Sequence, residues 1–156
     1  MLLSALLIIA AVTAAPDATY SWRQTLDAIR VVETGGCAND GIGAKGDGGR
    51  ALGPYQIWSV YHQDAAERDP TLTDYKRCLT SKSYSERVVA AYMRRYARGS
   101  LERLQAHQGT LGDVEVVSRI HNGGPRGASK DATMAYWRKV RGALKAAALS
   151  RPRLGV

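Results

Sequence analysis

Metal chemistry finds little to work with in this sequence. It has two cysteines and three histidines, His62, His107 and His121, and none of them falls at metal-ligand spacing. Neither a metal nor a cofactor is expected. Internal repeats and low-complexity tracts are also lacking, which excludes a solenoid or a linker-dominated chain. Beyond residue 15 no segment approaches the roughly 20 apolar residues that cross a bilayer, so no membrane anchor is expected. Acidic residues are in the minority: 14 Asp and Glu against 22 Lys and Arg leave a formal charge of +8. A basic surface attracts polyanions at long range, but the cations are mostly dispersed. They form no nucleic-acid-binding pattern, and no nucleic-acid partner is expected.

What is present fits one domain. The 156 residues are 45% apolar and 23% charged, within the globular range. Residues 1–15 stand apart. Leu2 to Val12 is apolar except for Ser4, and Thr13, Ala14 and Ala15 follow. That is the layout of a secretory signal peptide cut after Ala14 or Ala15. The alternative is an apolar helix docked on the core. The expected division is a leader at 1–15, a catalytic domain at 16–150 and a loose tail at 151–156, secreted as a monomer. In a secreted chain the even count of Cys37 and Cys78 suggests one disulfide. It would close a loop of about 40 residues.

Helical signals dominate. Ser21 and Gln24 form a capping-box pair ahead of a helix from Trp22 to Glu33, with Trp22, Leu26, Ile29 and Val32 on its apolar face. Gly35-Gly36 stops it. Residues 38–54 are glycine-rich, with a small β element expected near 44–57. Ser83 and Glu86 are read as the cap of a helix from Tyr84 to Arg98 that Gly99 ends. A short helix follows over Leu101 to His107. Asp113 is read as the cap of the next, which stops at Gly123-Gly124-Pro125. The last runs from Lys130 to Ala148. The sum is an α+β fold, mostly α-helical.

Two carboxyls invite a chemical reading. Cleaving a glycosidic bond needs one carboxyl that keeps its proton for the leaving oxygen and another that stays ionised. Glu33 closes an apolar helix after Val31-Val32, where partial burial and the negative end of the helix dipole both favour a protonated acid. Asp47 lies in the polar turn Lys45-Gly46-Asp47-Gly48-Gly49, which suits the ionised partner. Asp40 is the competing carboxylate. Taken alone, each is also an ordinary helix-end or turn residue.

The surrounding motifs carry a resemblance. Glu33-Thr-Gly-Gly-Cys37 resembles the E-S-G-G-C segment of invertebrate-type lysozymes, the destabilase family. Ile42-Gly-Ala-Lys-Gly-Asp47 is similar to its I-G-C-R-M-D, and Gly53-Pro-Tyr-Gln-Ile57 to its G-Y-F-Q-I. Asp74-Tyr-Lys-Arg-Cys78 resembles D-W-K-S-C, and Tyr92-Met-Arg-Arg-Tyr-Ala97 resembles Y-M-K-R-Y-A. His121-Asn-Gly-Gly-Pro-Arg-Gly127 resembles H-N-G-G-P-x-G, with Tyr136-Trp137 matching the Y-W beyond. The motifs keep the family's order over residues 22–141. There are departures. Ala44 and Ala128 stand where the family has cysteines, and the spacing from Glu33 to Asp47 is longer than the family's.

The resemblance implies a lysozyme-like fold and hydrolysis of the β-1,4 bond between N-acetylmuramic acid and N-acetylglucosamine in peptidoglycan. Chitin oligosaccharides are a further candidate substrate. Glu33 takes the position of the general acid and Asp47 that of the second carboxylate. Tyr55, Gln56 and Ile57 would lie along the cleft, and His121 and Asn122 on its other wall. The family's isopeptidase activity is not carried over, because Gly48-Gly49 stand beside Asp47 where a serine would be needed. Two alternatives stay open. One is a lytic transglycosylase using Glu33 alone. The other is a non-enzymatic cationic protein on the same fold.

Overall fold

The structure, a computed structural model, describes residues 18–150. The expected leader and tail lie outside them. Seven helices and one small sheet make up the described part, bearing out a mostly helical α+β fold.

Helix α1, Trp22–Thr34, starts where the sequence says it should. The Ser21 hydroxyl accepts from the Gln24 backbone N–H, and the Gln24 side chain returns the bond to the Ser21 N–H at 2.8 Å. Gly35, left-handed at φ 65°, ends it. Three two-residue strands follow: β1 (Lys45–Gly46), β2 (Ala51–Leu52) and β3 (Ile57–Trp58). They pair antiparallel in the order β1-β2-β3, with Gly46 opposite Ala51 and Leu52 opposite Ile57. A turn of 3-10 helix, Asp47–Gly49, bridges β1 and β2. Gly53, at φ 71°, makes the turn after β2, and a Cβ there would overlap the Cys78 carbonyl. Only glycine lets the sheet sit this close to the helices.

The remaining helices are α2 (Ser59–Ala66), α3 (Arg77–Thr80), α4 (Lys82–Tyr96), α5 (Arg98–Gln105), α6 (Leu111–Gly123) and α7 (Met134–Leu149). Several boundaries differ from the sequence reading. The cap of α4 is Ser81, whose hydroxyl accepts from the Tyr84 N–H, not Ser83. Glu86 is thereby freed to accept from Tyr55 and Arg23. Gly99 does not end α4; it lies inside α5. The cap of α6 is Thr110, and Asp113 completes its capping box from the third helical position. Short 3-10 turns at Gly127–Ser129 and Asp131–Thr133 precede α7.

The core gathers one face from each long helix. Ile29 of α1, Val88 and Met93 of α4, Val117 of α6 and Val140 of α7 are wholly buried. Helix α1 packs on α7 and α5, and α2 packs on α4. This leaves the C-terminal end of α1 beside the sheet.

The expected Cys37–Cys78 disulfide is corrected: both thiols are free. Cys37 stands exposed in the loop beyond α1, whereas Cys78 is sealed in the core at the start of α3. Burial pushes the Cys78 thiol up to about 12, so it stays protonated and unreactive. Cysteine parity speaks for the compartment, not for the distance between two sulfurs.

Candidate active site

A cleft of about 280 Å³ opens where α1, the sheet, α2 and α6 meet. Glu33, Asp47, Ala51, Gln56, Trp58, Tyr61, His121 and Asn122 line it.

Glu33 projects from the last turn of α1, its side chain 17% exposed. Two other helices hold it there. The Tyr136 hydroxyl on α7 donates to Glu33 Oε1 at 2.6 Å, and His121 Nε2 on α6 lies 3.5 Å from the same oxygen. The Tyr136 hydroxyl is raised well above its ordinary range, first by burial and then by the Glu33 charge. It therefore keeps its proton and stays a donor.

His121 is itself fixed on both sides. Its Nε2 is 3.1 Å from the Tyr55 carbonyl oxygen, which can only accept. Nε2 must carry a proton. Nδ1 is then free to accept from the Tyr61 hydroxyl at 3.2 Å. The Tyr61 hydroxyl is raised by burial, then by Tyr92 and Glu33, and its ring stacks on Tyr92 with centroids 3.6 Å apart.

Asp47 enters the cleft from the 3-10 turn between β1 and β2. Its φ of 49° is unusual for a residue with a Cβ, and aspartate is among those that tolerate it. Arg50 anchors the turn, pairing with the Asp47 carboxylate at 3.1 Å and donating from Nε to its carbonyl at 3.1 Å. The Arg50 guanidinium also lies 5.1 Å from the centre of the Trp58 ring. Trp58 is 41% exposed. The Gln56 amide is steadied by a bond from Nε2 to the Gly53 carbonyl, 2.8 Å.

Asp40 behaves differently. Its carboxylate is clamped by Lys82 and Arg30, each at 2.8 Å, and does not line the cleft. The Lys82 hydrogen bond foremost, then the Arg30 charge, holds it below the usual carboxylate range.

Of the residues expected from sequence, Glu33, Asp47, Gln56, His121 and Asn122 come together. Tyr55 and Ile57 do not reach the cleft wall. Both are buried, Tyr55 completely, with its hydroxyl on Glu86. Trp58 and Tyr61 join the site without having been singled out, and Tyr136 joins it from the Tyr136-Trp137 motif, to which no site role was attached. Strand alternation could have found Trp58, since Ile57 pointing inward turns its neighbour outward. A second recess, about 220 Å³, lies between α1 and α7. Among its lining residues Asp27 is the only acid, so it offers no carboxyl pair.

Helical bundle, small sheet and intervening cleft define a lysozyme-like protein. Solved structures share the arrangement. The Tapes japonica lysozyme superposes with a TM-score of 0.59 at 29% identity, covering 82% of this chain and 93% of that one. A Meretrix lusoria lysozyme, solved in complex with Aeromonas hydrophila PliI, gives 0.58 at 28%, covering 83% and 93%. The chain belongs to the destabilase family, whose model matches residues 23–143. A lysozyme of Magallana gigas is 34% identical over 90 residues, 58% of this chain and 58% of that protein. Lysozyme 1 of Crassostrea virginica is 37% identical over 90 residues, which span only 43% of its length. Invertebrate-type lysozyme 6 of Caenorhabditis elegans is 30% identical, covering 69% and 72%.

Proposed function

We propose that the protein is a secreted glycoside hydrolase that cuts the β-1,4 bond between N-acetylmuramic acid and N-acetylglucosamine in peptidoglycan. Residues 16–150 form its catalytic domain and residues 1–15 its leader. Glu33 is the general acid, protonating the leaving oxygen. Asp47 is the ionised partner, facing the positive charge that develops at the sugar ring. The observation that carries this reading is the pairing of Glu33 and Asp47, from separate segments, on one cleft that Asp40 does not line.

The surroundings support the division of roles. Glu33 is largely withdrawn from water and accepts a hydrogen bond from the Tyr136 hydroxyl, with His121 Nε2 3.5 Å away. Asp47 is 45% exposed and pairs with the Arg50 guanidinium at 3.1 Å. The open face of Trp58 offers a stacking surface for a sugar ring. Gln56, Asn122 and His121 supply polar groups at the same cleft.

The test is clearing of purified peptidoglycan by wild type and by Glu33→Gln, each checked for fold by circular dichroism. Wild type is expected to clear and the folded variant to be inert. Full clearing by Glu33→Gln would overturn the hydrolase reading. Mass spectrometry of the fragments separates hydrolysis, with reducing ends, from transglycosylation, with anhydro ends. Reducing ends are expected.

A further inference from the structure

We infer that Tyr136 is a positioning residue that reserves one oxygen of Glu33, so that the transferable proton is carried on the other. The inference rests on Glu33 being the general acid.

A carboxylic acid has two oxygens, and catalysis needs the proton on the one that faces the substrate. A carboxyl with both oxygens unengaged would divide its proton between them. Here Oε1 is occupied. The Tyr136 hydroxyl donates to it at 2.6 Å, and His121 Nε2 stands 3.5 Å away on the same oxygen. An oxygen already accepting from a hydroxyl is a poor seat for a second proton, so protonation falls on Oε2. Among the described residues Oε2 has no hydrogen-bond partner, and Glu33 lines the cleft. Tyr136 cannot reverse its role by ionising, because burial keeps its own proton in place.

The same bond acts after the proton has left. Glu33 then carries a charge in a site mostly closed to water. The donor at Oε1 is already in place and needs no rearrangement to receive it. The groups facing Glu33 are Tyr136 from α7, His121 from α6 and Tyr61 from α2, with Asp47 at the same cleft. Of these, Tyr136 makes the one hydrogen bond to the carboxyl that meets ordinary geometry.

The experiment measures turnover of a soluble peptidoglycan fragment against pH for wild type, Tyr136→Phe and Tyr84→Phe. The Tyr84 hydroxyl is also in the interior, where it bonds to His62, so its loss controls for removing a tyrosine hydroxyl away from the cleft. Tyr136→Phe is expected to lower kcat on the order of tenfold or more with KM nearly unchanged. The alkaline limb of its pH profile should move to higher pH, because a donor to the charged carboxylate has gone. Tyr84→Phe should leave both readouts at wild type. A folded Tyr136→Phe with wild-type kcat and pH profile, alongside an inert Glu33→Gln, overturns the Tyr136 role and spares the hydrolase reading. Activity in Glu33→Gln overturns both.

Discussion

His121 Nε2 lies 3.1 Å from the Tyr55 carbonyl oxygen, joining α6 to the turn that leads into β3. The carbonyl decides which nitrogen holds the proton. Tyr55 is fully buried, and the imidazole is a side-chain partner of its carbonyl. Replacing His121 with Ala should therefore cost about 1–3 kcal/mol of stability, the usual penalty for a buried group left unpaired. Urea denaturation measures it. Turnover should fall as well, since His121 stands 3.5 Å from Glu33 Oε1 in the cleft. An unaltered midpoint would mean that the cleft does not depend on this bond.

Asp47 and Asp40 can be separated by paired substitution. Asp47→Asn should reduce turnover severely while leaving the fold intact, because its carboxylate is exposed and its turn is also anchored through the backbone. Asp40→Asn should keep its turnover, with at most a small loss of stability from two partly exposed ion pairs. The reverse pattern in a kinetic assay would transfer the second-carboxylate role to Asp40.

Stability should also fall in acid for a definable reason. Asp113 completes the capping box of α6 from its third helical position and pairs with Arg103. The Arg103 hydrogen bond chiefly, helped by the Thr110 backbone, holds Asp113 well below its ordinary range. A depressed carboxyl contributes stability that is fully present above its unfolded-state value. The contribution drains away as pH drops below about 4 toward the folded-state value. Thermal melts of wild type and Asp113→Asn should converge over that acid range and separate above it. Parallel curves at every pH would remove Asp113 from the explanation.

The two cysteines should differ in a thiol titration. Ellman's reagent is expected to modify one thiol, Cys37, in the native protein and both after unfolding. Cys78 is fully buried and its thiol is pushed up to about 12. No reactive thiol in the unfolded, non-reduced protein would mean that the two are bridged after all.

The local signals in the sequence carried far. Helix α1, its Ser21–Gln24 box and its glycine stop can be read directly, because every determinant lies within a few residues. The ends of α4 and α6 are shifted by neighbours of equal promise. Ser81, Ser83 and Ser85 all precede or open α4, and only the fold selects Ser81. Helix α2 escaped notice because Ser59–Ala66 has no continuous apolar stripe; Tyr61, His62 and Ala65 are buried by what surrounds them. Tyr55 illustrates the limit at the site. A motif can place a residue near a cleft, but whether its ring faces the sugar or the core depends on packing between distant segments. Tyr136 lies 103 residues from Glu33, beyond the reach of any local pattern.

That separation makes turnover a measure of the whole chain. The carboxyl on the first helix is braced by the last, with the sheet and α6 between them. A protease nick or a truncation that frees α7 would leave most of the cleft's lining residues in the remaining chain, yet strip the acid of its Tyr136 donor. Partly digested or half-folded copies should accordingly turn over no faster than Tyr136→Phe, however complete their cleft lining.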